Sequence, residues 1–310
     1  MKAEKDWTDG EDKRVLELVD RLMAQKEVDV DKNWEQLSGR IRQEERRNRI
    51  YQQMRSVAAI LWLPLLILSG YLGYRVHELL SAPAEPVELT TAYGTIAKIT
   101  LSDGSEVWLN SGSKLVYPKR FKGKKREVHL TGEAYFKVES APSHRFDVKT
   151  SDGLTVSAYG TEFNVQAYAE ESSIETTLAK GNITVRHPEA DIKQDLKPGE
   201  QLHYSKIKKR TNLRAVNLSA ETAWKDGKII FQRTPMEKVA KQLSRHFNVE
   251  ILLEGKDIYE YTYSATFTTE TLAEVLSLLE KTAPIRCEII EPKQQNDNAF
   301  SKKRVIIRPL

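Results

Sequence analysis

Polar and apolar positions along this chain follow three successive rhythms, broken once by a stretch with none. Val15, Leu16, Val19, Leu22 and Met23 recur at helical spacing, and Trp34, Leu37 and Ile41 form a second stripe after Glu27-Val-Asp-Val-Asp31. Two helices are therefore expected within residues 1–55. Thr8 and Glu11 fit a capping box, the hydroxyl capping one backbone N–H while the carboxylate reaches back to another. From Tyr93 to about Ser205 the period is two. Ile96–Leu101 and Glu106–Asn110 flank Asp103-Gly104, a pair that accepts the positive φ values of a hairpin turn. Short strands are expected at Arg126–Leu130, Ala134–Val138, Phe146–Thr150, Leu154–Tyr159, Glu162–Ala167, Ser173–Leu178, Ile183–Arg186 and Gln201–Tyr204. Polar turns separate them, so residues 93–205 read as an all-β domain. Pro188–Lys197 reads as a polar excursion.

From about Ala223 strands and helices alternate. Lys228–Phe231, Glu250–Leu253, Tyr261–Phe267, Ile285–Ile290 and Arg304–Arg308 are strand-like. Met236, Val239, Leu243 and Phe247 stripe one helix that starts at Pro235, and Leu272, Val275, Leu276 and Leu279 stripe another. The order βαβ-βαβ-β makes residues 223–310 a small α+β domain.

The stretch without rhythm is Ser56–Tyr74, apolar all round between Arg55 and Arg75. Nineteen residues rise about 28 Å as a helix, close to the ~30 Å hydrocarbon thickness of a bilayer. Its Leu, Ile and Val residues contribute roughly −3 to −5 kcal/mol to insertion. A buried core helix would show a polar face, and a cleaved signal peptide would start nearer the N-terminus. One uncleaved transmembrane helix is expected. Arg40, Arg42, Arg46, Arg47, Arg49 and Arg55 crowd its N-terminal side, and Arg75 stands alone beyond it until Lys98. The positive-inside rule keeps the N-terminus in the cytoplasm and exports the C-terminus. Residues 75–92, with the prolines of Ser81-Ala-Pro-Ala-Glu-Pro-Val-Glu88, read as an extended linker. The fold class is thus a multi-domain single-pass membrane protein.

Composition adds bounds. The 310 residues carry a net charge of +4, too mild to imply nucleic-acid binding. Cys287 is the only cysteine, so no disulfide forms within the chain and no cysteine-based metal site exists. His77, His129, His144, His187, His203 and His246 lack metal-ligand spacing, and no cofactor is expected. There is no phosphate loop or nucleophile elbow. Asp103, Glu133 and Glu162 could pair as a glycosidase would need, but Asp103 belongs to a turn and the others to strands, so no enzyme is expected. Trp108, Tyr117, Tyr135 and Tyr159 could form a sugar platform or simply pack against a sheet.

Several motifs carry a resemblance. They are Leu101-Ser-Asp-Gly-Ser105, Trp108-Leu-Asn110, Tyr117-Pro118, Gly132-Glu-Ala-Tyr-Phe-Lys-Val138, Val148-Lys-Thr150, Gly160-Thr-Glu-Phe-Asn-Val165, Thr177-Leu-Ala-Lys-Gly181 and Lys197-Pro-Gly-Glu-Gln201. Phe231-Gln-Arg-Thr-Pro-Met236 and Ala273-Glu-Val-Leu276 follow. With these the chain resembles the FecR-type anti-sigma regulators of Bacteroidetes. In that family a FecR domain precedes a domain similar to the short N-terminal fold of secretins and TonB-dependent transporters.

The resemblance implies that the cytoplasmic segment binds an extracytoplasmic-function (ECF) sigma factor. The outer domains would sense the signalling domain of a TonB-dependent outer-membrane transporter. Leu16, Val19, Leu22, Met23, Trp34 and Leu37 are the candidate sigma contacts, with Asp12, Glu17 and Asp20 steering. The same stripe could instead close a helical hairpin on itself. Pro64, Ser69 and Gly70 weaken the spanning helix and are the candidate break for an intramembrane protease, or tolerated helix punctuation. A membrane-anchored binding or scaffold module without a transcriptional role is the alternative function.

Overall fold

The computed structural model describes residues 9–24, 30–81, 85–123, 125–291 and 302–310. The chain divides into two units, Met1–Ala82 and Pro83–Leu310. Thr8 of the expected capping box lies outside the described residues.

The first unit is helical: α1 spans Asp9–Ala24 and α2 spans Val30–Ser81. The 52 residues of α2 make a rod about 78 Å long. Residues 75–81, read from sequence as part of an extended linker, continue this helix. After Gly73 the sequence has no strong helix breaker until Pro83, which disfavours helix at its predecessor. Among the described residues no helix is long and apolar enough to cross a membrane. The side chains of residues 55–61, which open the expected span, lie outside the described residues. The apolar side chains from Trp62 to Tyr74 stand exposed.

The second unit begins with thirteen strands. They are β1 (Pro86–Thr90), β2 (Ala97–Thr100), β3 (Glu106–Leu109), β4 (Lys114–Pro118), β5 (Lys125–Lys137), β6 (Arg145–Thr150), β7 (Thr155–Ala158), β8 (Glu162–Ala167), β9 (Ser173–Lys180), β10 (Ile183–His187), β11 (Ile192–Leu196), β12 (Glu200–Ser205) and β13 (Arg210–Ala215). One sheet runs β1-β4-β5-β6-β7-β10-β11 and the other β2-β3-β5-β8-β9-β12-β13, so β5 belongs to both. Its first half pairs with β4 and β6, its second half with β3 and β8. The two strands expected at Arg126–Leu130 and Ala134–Val138 are thus one, bent where it changes sheet.

Gly132 makes that bend. Its φ is +102°, and a Cβ there would lie 2.3 Å from Ser113 Oγ and 2.5 Å from Ser113 Cβ. Only glycine meets both demands. Between the sheets lies an apolar core that includes Leu109, Leu115, Leu130, Phe146 and Leu178. Within it Phe136 stacks on Phe163 with ring centres 5.2 Å apart. Each buried side chain of this size contributes about 1.5–3 kcal/mol.

Four strands were not expected from sequence. β1 falls inside the presumed linker and pairs with β4, also unexpected. β11 occupies the presumed polar excursion and pairs with β10. β13 extends the domain past Ser205 by pairing with β12. Each of β1, β11 and β13 is an edge strand with a largely wet face, where alternation is weak.

The smaller domain follows: α3 (Leu218–Thr222), a 3₁₀ turn at Ala223–Asp226, β14 (Ile229–Pro235), α4 (Met236–Phe247), β15 (Glu250–Leu253), β16 (Thr262–Phe267), α5 (Leu272–Thr282), β17 (Ile285–Ile290) and β18 (Arg304–Pro309). The expected order of strands and helices is found. β14 pairs with β16, while β18 lies between β15, which runs parallel to it, and antiparallel β17. Met236, Val239 and Leu243 of α4 and Val275, Leu276 and Leu279 of α5 close a second core. Thr271 and Glu274 cap α5 reciprocally.

Replacing Gly132 with Ala is expected to destabilise the unit Pro83–Leu310 by about 3 kcal/mol or more, from the forced φ and the Ser113 clash together. Denaturant unfolding checks this, and a loss below about 1 kcal/mol would contradict the role given to Gly132.

Candidate functional site

Two surfaces stand out, one on each unit. On α1 the candidate contacts Leu16, Val19, Leu22 and Met23 recur every three or four residues and are all exposed. Trp34 and Leu37 are exposed in the same way on α2, at 64% and 51%. An amphipathic helix normally hides such a stripe. Here both stripes face solvent, so the structure does not close them on one another as a hairpin core. Glu17 and Asp20 are exposed on α1; the side chain of Asp12 lies outside the described residues. Pro64 sits inside α2, leaving the carbonyl of residue 60 without its helical donor. Ser69 and Gly70 are exposed in the same helix, and a Cβ at Gly70 would meet open space.

The second surface is the outer face of the sheet built on β8, β9 and β12, covered by α3, the 3₁₀ turn after it and α4. In β8 and β9 most residues are buried, on both faces. The inward residues are apolar apart from Thr176, whose hydroxyl has no partner among the described residues. The outward ones are Glu133, Asn164, Gln166, Glu175 and Gln201, polar and dry. Buried polar groups of this kind must be hydrogen-bonded to be tolerated. Glu133 accepts from Asn110 and Asn164, each at 2.8 Å. Asn164 Oδ1 accepts from the Trp224 indole N–H at 3.2 Å. Gln201 donates to Glu221 of α3 at 3.0 Å. Glu175 accepts from Lys238 of α4 at 2.7 Å.

α4 is built for this position. Its apolar stripe faces its own core, and Lys238 and Arg245, seven residues apart, share the side turned to the sheet. Arg245 pairs with Glu171 and with Glu170 and lies 3.6 Å over the Tyr168 ring. Its carbonyl accepts from Ser111 Oγ at 2.8 Å and from the N–H of Gly94 at 3.0 Å. One residue thus fastens the end of α4 to three segments of the β domain.

The seam's carboxylates are shifted in opposite directions. Burial raises Glu133 from 4.5 to about 7, against its hydrogen bonds from Asn164 and Asn110 and the charges of Arg245 and Lys238. Burial alone would also raise Glu175. The hydrogen bond from His203 and the charge and hydrogen bond of Lys238, with Arg214 nearby, outweigh it and hold Glu175 at about 2.

The sequence reading missed the seam. It considered Glu133 only as a partner for Asp103 and Glu162, and the structure gives the three carboxylates separate partners. Asp103 pairs with Arg126 at 2.7 Å, and Glu162 accepts from Tyr135 at 2.8 Å. Of the four aromatic candidates, Trp108 and Tyr135 meet edge-on at 5.7 Å beneath Lys98 and Lys225, Tyr117 packs against the core, and Tyr159 is exposed. Among the described residues no cluster of His, Cys, Asp and Glu could hold a metal.

The two shifts set a pH profile. The stability linked to Glu133 is whole below about pH 4.5 and is lost as pH rises through about 7. That linked to Glu175 is whole above about pH 4.5 and is lost as pH falls toward 2. Each amounts to about 3 kcal/mol. Thermal unfolding of the unit Pro83–Leu310 should therefore show a maximum near pH 4.5–5, and Glu133→Gln should flatten the decline toward pH 7. An unchanged decline in that variant would contradict the assignment.

Residues 87–184 match the family model described as FecR protein, and residues 228–295 match the one described as FecR, C-terminal. Comparison with curated proteins gives no match. Among solved structures, two crystal structures of a "putative anti-sigma factor" from Parabacteroides distasonis are similar. One is 27% identical with a TM-score of 0.63, covering 72% of this chain and 99% of that one. The other is 26% identical with a TM-score of 0.62, covering 73% and 100%. That share of this chain is about what the unit Pro83–Leu310 makes up. The chain carries a FecR domain followed by a FecR C-terminal domain and belongs to the FecR family.

Proposed function

We propose that this protein is an anti-sigma regulator that joins a sigma-binding helical segment to an outer sensing unit through one membrane-spanning helix. The observation that carries the reading is the pair of exposed apolar stripes on α1 and the start of α2, in a chain whose remainder is FecR-like. Leu16, Val19, Leu22 and Met23 on α1, and Trp34 and Leu37 on α2, offer exposed apolar anchors to a partner helix or groove. The partner is an ECF sigma factor. The anti-sigma description of the similar Parabacteroides structures supports this choice.

Ser56–Tyr74 spans the inner membrane, with the N-terminus cytoplasmic and the C-terminus periplasmic. The length and apolarity of that stretch and the arginines before it support this placement. The outer unit receives the signalling domain of a TonB-dependent transporter. β17 supports an edge-docking version, since among the described residues it pairs only with β18. Glu280 already accepts from the N–H of Cys287 on that edge, so an added strand engages the Ile289–Ile290 end. Pro64, Ser69 and Gly70 supply a weakened turn at which an intramembrane protease could cut.

Leu22→Asp and Trp34→Ala in the full chain are each expected to weaken capture of the sigma factor by about thirtyfold, the scale of a hot-spot residue. Pull-down by the membrane-embedded protein measures this. Retention of the sigma factor by both variants at the level of the unaltered chain would overturn the assignment of this surface.

A further inference from the structure

We infer that the β12–β13 hairpin is a docking tip for an anionic lipid surface. Ser205 pairs with Arg210, and Lys206, Ile207, Lys208 and Lys209 form the turn between them. Lys206 is drawn back into the body. Its N–H bonds to the carbonyl of Ser172 at 2.9 Å, and its ammonium bonds to the Tyr168 carbonyl at 2.9 Å and pairs with Asp152 at 3.0 Å. Ile207 is 80% exposed. Lys208, Lys209 and Arg210 surround it, all exposed, and among the described residues no side chain pairs with theirs. Lys209 closes the turn with φ +48°, in the left-handed region.

An exposed isoleucine ringed by three free cations is poorly explained as a solvated turn. Turn positions favour Gly, Asn, Asp and Ser, and none of the four turn residues is one of these. The combination matches a membrane interface instead. Basic groups meet anionic headgroups while the apolar side chain enters the acyl boundary.

This inference rests on the proposed span in one respect, since the span brings a membrane within reach. The test is independent of the span. The unit Pro83–Leu310 holds both apolar cores, and it can be assayed without α2. Its sedimentation would be measured with vesicles of phosphatidylglycerol and phosphatidylcholine in equal parts, and with phosphatidylcholine alone. Binding to the anionic vesicles only is expected, falling as salt rises. Each basic group near such a surface changes the partition roughly fivefold, so Lys208→Glu with Lys209→Glu should lower it by at least about tenfold. Ile207→Ser should lower it further at high salt, where the apolar contact dominates. Far-ultraviolet circular dichroism checks that the variants fold. Equal binding to both vesicles, no binding, or full binding by the double variant would overturn the proposal. So would capture on an acidic polypeptide column by a unit that ignores vesicles, which would make the tip a protein contact.

Discussion

A carboxylate buried under a second domain is the constraint on which the unit Pro83–Leu310 depends. Glu133 sits beside the bend of β5, on a sheet face that its own domain does not cover. Without α3 and α4 above it, Glu133, Asn164, Gln166, Glu175 and Gln201 would be an ordinary wet sheet surface. With them, each group must find its partner in a dry place, and several partners come from the other domain: Trp224, Glu221 and Lys238. Apolar contacts tolerate sliding, whereas hydrogen bonds and ion pairs lose strength within a few tenths of an ångström. A polar seam therefore fixes the angle between the two domains more firmly than an apolar one of the same size.

That rigidity suits the proposed relay. Whatever engages the small domain moves the β domain with it, because Arg245 holds α4 to segments around Gly94, Ser111 and Glu171 at once. The seam also gives the assembly a weak point, since Glu133 held at about 7 is easily ionised in a neutral medium, at a cost to the packed state.

Much of the architecture was legible in the sequence. The small domain's strands and helices follow from clean stripes at Met236, Val239 and Leu243 and at Val275, Leu276 and Leu279. The all-β character of residues 93–205 follows from period two. What was hidden had physical reasons. β11 and β13 are edge strands rich in charged residues, so their pattern resembles loop. The bend at Gly132 looked like a break between strands because one residue turns the chain without ending the pairing. The seam was invisible because Glu-Phe-Asn-Val-Gln-Ala, at residues 162–167, alternates as a half-exposed strand does. The available signal was chemical: Asn164 and Gln166 are amides, which can be buried at lower cost than the Lys and Glu usual on a wet face. The apolar stripe at Leu16–Met23 is legible as one helix face, and the structure leaves it exposed on α1.

The claim that the β domain and the small domain form one body can be measured directly. Spin labels at Tyr159→Cys in the β domain and Leu278→Cys in the small domain, both exposed positions, would be placed in a Cys287→Ser background. Pulsed electron double resonance on the unit Pro83–Leu310 then reports the distance between the labels. The account predicts one narrow distribution that broadens when Arg245 is replaced by Ala. A broad or two-peaked distribution in the protein with Arg245 intact would contradict it.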